Sequence, residues 1–191
     1  LILNIPIWLV TNNIINIVIS GCLKPFEKTL ENHERERISS NIISSYHGLM
    51  TLKMMFSVYS RDLLIIHHQS VYYYDIISFS VSYFIYDILN DIRTGNTQKE
   101  MILHHLLSIF TGLYLYYIGL SQLYVSGLFV ELSNIPLNVK DILETLNMKN
   151  TNLYLINGLF FSLCFFLCRI IYIPTICLTS TYILSNQLSE D

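Results

Sequence analysis

The sequence predicts an all-α fold: a polytopic membrane helix bundle of about six transmembrane helices. Three observations carry that expectation. Hydrophobic residues make up 52% of the 191 and charged residues 13%, about half the ~25% charge of an ordinary soluble domain. The mean hydropathy is positive, at +0.47. The apolar residues are also gathered into long Ile, Leu, Phe and Tyr runs, close to the ~20 residues that a spanning helix needs.

Six runs reach or approach that length at 1.5 Å rise per residue. They are Ile2–Gly21, Ile42–Ser60, Tyr72–Ile92, Met101–Ile118, Gln122–Leu137 and Leu153–Tyr172. The first is interrupted by Asn4, Asn12, Asn13 and Asn16, and the fifth is short. The apolar stretch Ile173–Leu184 reads as an extension of the sixth or a partial re-entrant piece. Residues 1–39 form a first span with a charged connector, 40–180 the main helical domain and 181–191 a polar tail. Because the chain starts at Leu1 rather than at methionine, an incomplete N-terminus is expected.

The connections set the topology. Lys24-Pro25 through Arg37 is a mixed-charge segment that reads as a short surface helix ending before Ser39 or, the preferred reading, as a solvated connector. With Lys24, Lys28, Arg35, Arg37, Arg93, Lys99, Lys140 and Lys149, the connections after runs one, three and five are basic. Those after runs two and four hold only Arg61. The positive-inside rule then puts the basic connections in the cytosol and both chain ends opposite.

This topology brings five ionisable residues to one depth. His47, Asp87, His104, His105 and Glu131 each lie three to six residues inside the cytosolic end of a run, roughly 5–9 Å below the boundary. An imidazole beside a carboxylate in such a layer is a general base or an acyl-accepting nucleophile. Adjacent His104 and His105 point about 100° apart on a helix, so they have different roles. The alternative is a buried network that only fixes helix packing. A metal set of His47, His104 and Glu131 lacks the i,i+4 spacing of histidine-box enzymes. No metal and no cofactor is expected.

Other polar and aromatic residues have simpler readings. Lys53, mid-helix, is expected to reach a carboxylate or carbonyl inside the bundle, and Arg169 to snorkel to the far interface. Trp8 and Tyr72-Tyr73-Tyr74 read as interfacial anchors, Asp75 as a headgroup contact and His67-His68 as solvated surface. Pro136 and Pro174 are expected to break or kink helix ends. Cys164, Cys168 and Cys177 lack zinc spacing and read as small apolar fillers. The same holds for Cys22, whose position next to a run also suits palmitoylation.

An ordered set of short motifs resembles the TLC-domain family, which includes ceramide synthases and smaller TLC-domain-containing proteins. The matching residues are Ser44-x-x-His47, Ser82-Tyr83-Phe84-Ile85-Tyr86-Asp87-Ile88-Leu89, His104-His105, Glu131-Leu132-Ser133-Asn134-x-Pro136-x-Asn138, Asn157-Gly158, Arg169 and Pro174. Their order and spacing cover about residues 40–175, and the small branch is the more similar. The resemblance implies a lipid-sized cavity in the endoplasmic reticulum or a related membrane. It also implies that His104 and His105 stand where ceramide synthases perform acyl transfer. The chain departs from that motif: Ser108 replaces a Thr, Leu115, Gly119 and Gln122 replace a Ser, an Asn and an Arg, and Glu131-Leu132 replaces His-Asp. Tyr116 keeps the Tyr. The departures point away from ceramide synthesis and leave lipid handling.

The functional expectation is therefore a protein of membrane lipid metabolism or homeostasis. Acyl transfer would use His104 or His105 held by Asp87 or Glu131, with His47, Ser108, Asn138 and Arg169 contacting lipid. Membrane lipids are the expected partners, with acyl-CoA as the donor if transfer occurs. The net charge of −3 and pI near 6.1 argue against nucleic acid. A non-catalytic lipid sensor, carrier or trafficking adaptor is the alternative. Lys53, Ser108 and Asn138 are the candidates for the oxyanion donor that catalysis needs.

Overall fold

The computed structural model describes residues 5–22, 30–59, 71–95 and 99–188. Helices α1 (Ile5–Cys22), α2 (Asn32–Tyr59), α3 (Val71–Thr94) and α4 (Lys99–Tyr117) come first. Then follow α5 (Ser121–Gly127), α6 (Glu131–Thr145), α7 (Asn152–Phe165) and α8 (Ile173–Leu188). A 3-10 turn, Leu128–Val130, joins α5 to α6, and a π-helical segment, Phe166–Tyr172, joins α7 to α8. Among the described residues the result is six helical rods and no strand. The connector positions Lys24 and Lys28, together with Arg61, Asp62 and His67-His68, lie outside the described residues, as does the Cys22 side chain.

One rod, Asn152–Tyr182, is long and apolar enough to cross a membrane by length and composition, and little of it is buried. Its 31 residues extend about 46 Å. Thus Ile173–Leu184 extends the last helix and is not re-entrant, and helix continues into the expected polar tail as far as Leu188. The apolar part of α1, Pro6–Val18, falls short of that criterion on length, and polar and charged residues interrupt the others. In α2 these include the whole of Asn32–Arg37.

Helix α2 is the central strut, packed on α1, α3 and α6. The charged segment before Ser39 is its N-terminal extension rather than a separate surface helix. The α1 asparagines have a structural use: Asn12 is buried and accepts hydrogen bonds from Ser39 Oγ at 3.2 Å and Asn16 Nδ2 at 3.1 Å. Trp8 is not an interfacial anchor. Its ring is 1% exposed, edge-on to His47 and Tyr83, and its Nε1–H donates to Ser82 Oγ at 3.3 Å. Of the three tyrosines, Tyr72 and Tyr74 are exposed, whereas Tyr73 belongs to the core. Asp75 is exposed near the start of α3.

Neither proline terminates its helix. α6 runs through Pro136 to Thr145, and the Pro136 carbonyl accepts from Asn157 Nδ2 of α7 at 2.9 Å. Pro174 is the second residue of α8, inside a helix that continues directly from the π segment. The π segment just before it supplies the irregularity. Cys164 and Cys168 are buried and Cys177 is exposed, all as free thiols.

Gly112 lets α4 approach α5. A Cβ there would stand 2.7 Å from Tyr124 Cζ, and Tyr124 is itself buried. Gly112→Val is expected to destabilise the protein by about 1–3 kcal/mol, the usual range for overpacking. The loss should shrink in a Tyr124→Ala background, as read by thermal unfolding in detergent.

The α6–α7 junction is held by polar contacts at the surface. Asn147 adopts φ 57°, and Thr151 caps α7 by accepting from the Tyr154 N–H at 3.3 Å. Glu144 accepts from the Tyr154 hydroxyl at 2.6 Å and pairs with Lys140 and Lys149. These contacts, the tyrosine first, hold the Glu144 carboxyl down at about 2, from an ordinary 4.5. A depressed acid stabilises the fold above its unfolded pKa and loses that effect as pH falls through the folded one. The stability difference between wild type and Glu144→Gln should therefore fade between about pH 4.5 and 2 in acid titrations of unfolding.

Candidate functional site

The five ionisable residues expected in one layer come from four rods. His47 lies on α2, Asp87 on α3, His104 and His105 on α4, and Glu131 begins α6. His47 is 0%, Glu131 3%, His105 4% and Asp87 7% exposed, whereas His104 is half-buried. They resolve into two imidazole–carboxylate pairs. His105 Nδ1 stands 3.4 Å from Asp87 Oδ2, and His47 Nδ1 stands 3.6 Å from Glu131 Oε2.

The two pairs share an aromatic partition. Tyr83 stacks on His47 at 4.0 Å between centroids and meets His105 edge-on at 6.3 Å. Phe84 stacks on His105 at 5.0 Å. One turn beyond Tyr83, Asp87 has the Tyr83 hydroxyl and the Ser40 side chain beside its carboxylate. Neighbours at i and i+4 on a helix share a face, so α3 supplies both the partition and the acid.

The His47 pair is closed off from reaction. Its Nε2 lies 3.2 Å from both Ser80 Oγ and Thr51 Oγ1. An Nδ1–H aimed at Glu131 leaves Nε2 to accept from these hydroxyls. Glu131 also accepts from Asn134 Nδ2 at 3.1 Å. The Asn134 carbonyl oxygen in turn accepts from Arg169 Nη2 at 3.0 Å, while Arg169 Nε donates to Ser133 Oγ at 3.3 Å. Hydrogen bonds therefore run from Arg169 through Asn134 to Glu131, which stands 3.6 Å from His47 Nδ1. Arg169 points inward instead of snorkelling to the far interface, since the inner acceptors are within its reach.

The other expected contacts divide. Asn138 donates to Ser45 Oγ at 3.1 Å and lines a cavity. Ser108 donates to the His104 carbonyl oxygen at 2.9 Å, an i−4 helix contact that leaves it half-buried on α4. Lys53 is exposed on α2, so it does not reach into the bundle as expected. His104 lies against the His105 ring at 5.6 Å but forms no ion pair among the described residues. Glu131 serves His47 and not the histidine pair.

Sequence reasoning missed Thr51, Ser80, Tyr83 and Asn134 as members of the site. Thr51 and Asn134 were detectable, since they sit at i+4 and i+3 from His47 and Glu131. Ser80 had no such signal, because its contact with His47 crosses between helices.

A cavity of about 220 Å³ opens onto the layer between α2, α3, α4 and α6, with Asp87, Ser44, Asn138 and Asp91 in its wall. It reaches the His105 pair through Asp87. Among the described residues no group of three or more His, Cys, Asp or Glu side chains is placed to hold a metal ion. His105 Nδ1 has no hydrogen-bond partner but stands 3.4 Å from Asp87 Oδ2, close enough for a small ring rotation to couple the two and let the pair move a proton.

Because Glu131 is buried and tied to both His47 and Asn134, Glu131→Ala is expected to lower stability by about 1–3 kcal/mol through the unsatisfied partners it leaves. Glu131→Gln should retain part of that, as measured by thermal unfolding in detergent.

The comparisons with known proteins bear on the same residues. A family model described as the TLC domain matches residues 37–191. No curated protein and no solved structure matches the chain. The matched span contains every residue of both imidazole–carboxylate pairs and of the Arg169 chain, and it covers most of the sequence. The chain belongs to the TLC-domain family.

Proposed function

We propose that this chain is a multi-pass membrane protein that acts in membrane lipid metabolism, in the endoplasmic reticulum or a related endomembrane. In this reading His105, oriented by Asp87, is the general base of an acyl transfer between lipids or from acyl-CoA. One observation carries it: the buried His105–Asp87 pair stands at 3.4 Å with Asp87 in the wall of an open cavity.

The surface supports the membrane placement. Ile7, Val10 and Ile14 of α1, Leu103, Leu107 and Phe110 of α4, and Leu155, Ile156 and Leu159 of α7 are all exposed. Inside the same bundle His47, Glu131, Asp87 and His105 are buried. A broad apolar exterior around a polar interior suits a hydrocarbon surround, where polar groups turn inward to find partners. Six rods with such faces fit several crossings, although among the described residues only Asn152–Tyr182 qualifies on length and hydropathy.

For the reaction, the Asp87 side orients the His105 ring, and the free imidazole nitrogen takes the proton of the acceptor hydroxyl or amine as it attacks the acyl carbonyl. The proton then passes to the leaving group. His104, half-buried beside His105, is the nearest group to meet the incoming lipid.

A second reading, non-catalytic lipid binding, is favoured by one observation. Of the three oxyanion-donor candidates, Ser108 and Asn138 already donate inside the bundle and Lys53 is on the outer surface. Lipidomics of membranes expressing the full chain separates the two. Wild type should shift one lipid class, and His105→Ala and Asp87→Asn, at equal abundance, should abolish the shift. A shift that persists in both variants makes the pair structural and leaves the binding reading; no shift in wild type removes both.

A further inference from the structure

Arg169 is the only charged residue between Asn152 and Tyr182, and neither imidazole–carboxylate pair uses it. Its guanidinium is held by neutral groups. Nε donates to Ser133 Oγ, Nη2 to Asn134 Oδ1, and the Phe165 ring centre lies 5.4 Å away. The Glu131 carboxylate is reached only through the Asn134 amide. Both Nη1 hydrogens are therefore without an acceptor among the described residues.

His104 stands across from this donor edge. It lies within electrostatic reach of Arg169 and Glu131, and among the described residues neither of its ring nitrogens has a hydrogen-bond partner. Helix α4 packs on α3 and α5, whereas the rod that carries Arg169 packs on α5 and α6. The two rods thus flank a seam, with His104 on one side and Arg169 on the other. Both are half-buried, and so both are reachable from it.

A guanidinium with unspent donors in an apolar surround is unfavourable until an acceptor comes to it. Fixed at Nε and Nη2, it presents the Nη1 edge without reorganising, which is the property that stabilises charge developing on an oxygen. Lys53, Ser108 and Asn138 do not offer such a donor, being outward-facing or already donating.

We propose that Arg169 binds the acyl carbonyl oxygen of a lipid entering between α4 and the last rod, and holds that oxygen as it becomes negative. The assignment rests on the acyl-transfer reading above and supplies its missing donor. The acceptor hydroxyl or amine gives its proton to His105 while its lone pair forms the bond to the acyl carbon. The carbonyl π pair moves onto the oxygen facing Arg169. When that pair returns, the bond to the leaving oxygen or sulfur breaks, and the leaving group takes the proton from His105. Arg169 keeps its own protons throughout.

The test uses the full chain purified in detergent, with thermal unfolding recorded against two single-chain ligands. Methyl hexadecylphosphonate is a tetrahedral monoanion, and hexadecanol has the chain without the charge. A ligand that binds only the folded state raises the midpoint with concentration. Each variant is compared with its own ligand-free midpoint, because Arg169→Gln also removes the donors to Ser133 and Asn134. Wild type should bind the phosphonate about tenfold or more tighter than the alcohol, as expected for a mimic of the tetrahedral state. Arg169→Gln should lose that preference, and Arg169→Lys, which keeps the charge but not the fork, should keep only part of it.

Equal responses to the two ligands in wild type, or a preference that survives in Arg169→Gln, would overturn the site. If Arg169→Gln does not fold, an undiminished preference in Arg169→Lys overturns it instead. Stabilisation of the same size by phosphatidylglycerol or inorganic phosphate would replace the carbonyl assignment with a general anion site. In the lipidomics experiment, a His105-dependent shift that is undiminished in Arg169→Gln at equal abundance sinks this inference alone. Arg169-dependent phosphonate binding without any His105-dependent shift sinks the acyl-transfer reading and leaves the binding site standing.

Discussion

The structure depends on bringing two buried carboxylates to two buried imidazoles inside the bundle. Two imidazoles and two carboxylates are withdrawn from solvent almost completely, and the surfaces outside them are apolar. In such surroundings an unpaired polar group is costly, so the helices must bring acid to base. His47 requires α6 to present Glu131 to α2, and His105 requires α3 to present Asp87 to α4. These two demands locate four of the six rods relative to one another.

The remaining rods serve the same layer from its edges. α1 inserts Trp8 against His47 and Tyr83 and anchors its polar face through Asn12 and Ser39. The long rod that ends in α8 turns through a π-helical segment and carries Arg169 inward to Ser133 and Asn134. Single π turns often mark functional positions in helices, since the extra residue re-aims a side chain. The outcome is an asymmetric site. One imidazole is enclosed by hydroxyls and stacked aromatics, while the other is coupled to an acid that faces a cavity.

Much of the helical fold was legible from the sequence. The six expected runs correspond to the six rods, because long apolar runs with sparse charge constrain both length and secondary structure. Their ends were less legible. α2 begins well before Ile42 because Asn32–Ser39 contains strong helix formers and Glu34 in its first turn, features that hydropathy ignores. The last helix passes Pro174, which a breaker rule would stop, because that proline falls where the π segment has already disturbed the hydrogen-bond ladder. The Trp8 and Arg169 expectations failed for a common reason. Both treat the membrane interface as the available partner, when an interior acceptor was closer in space.

The sequence by itself determined that the chain is helical and apolar and that His47, Asp87, His104, His105 and Glu131 fall at similar positions along their runs. Periodicity and hydropathy act locally, and local information reaches that far. Which imidazole meets which carboxylate was decided only by tertiary structure. The helix rotations pair His105 with Asp87 and His47 with Glu131, and they leave His104 without an ionic partner among the described residues. Rotation about a helix axis is set by side-chain packing against neighbours on other rods, such as Tyr83 between the two imidazoles and Tyr124 over Gly112. Residues that far apart in the chain carry no mutual spacing for a sequence to reveal.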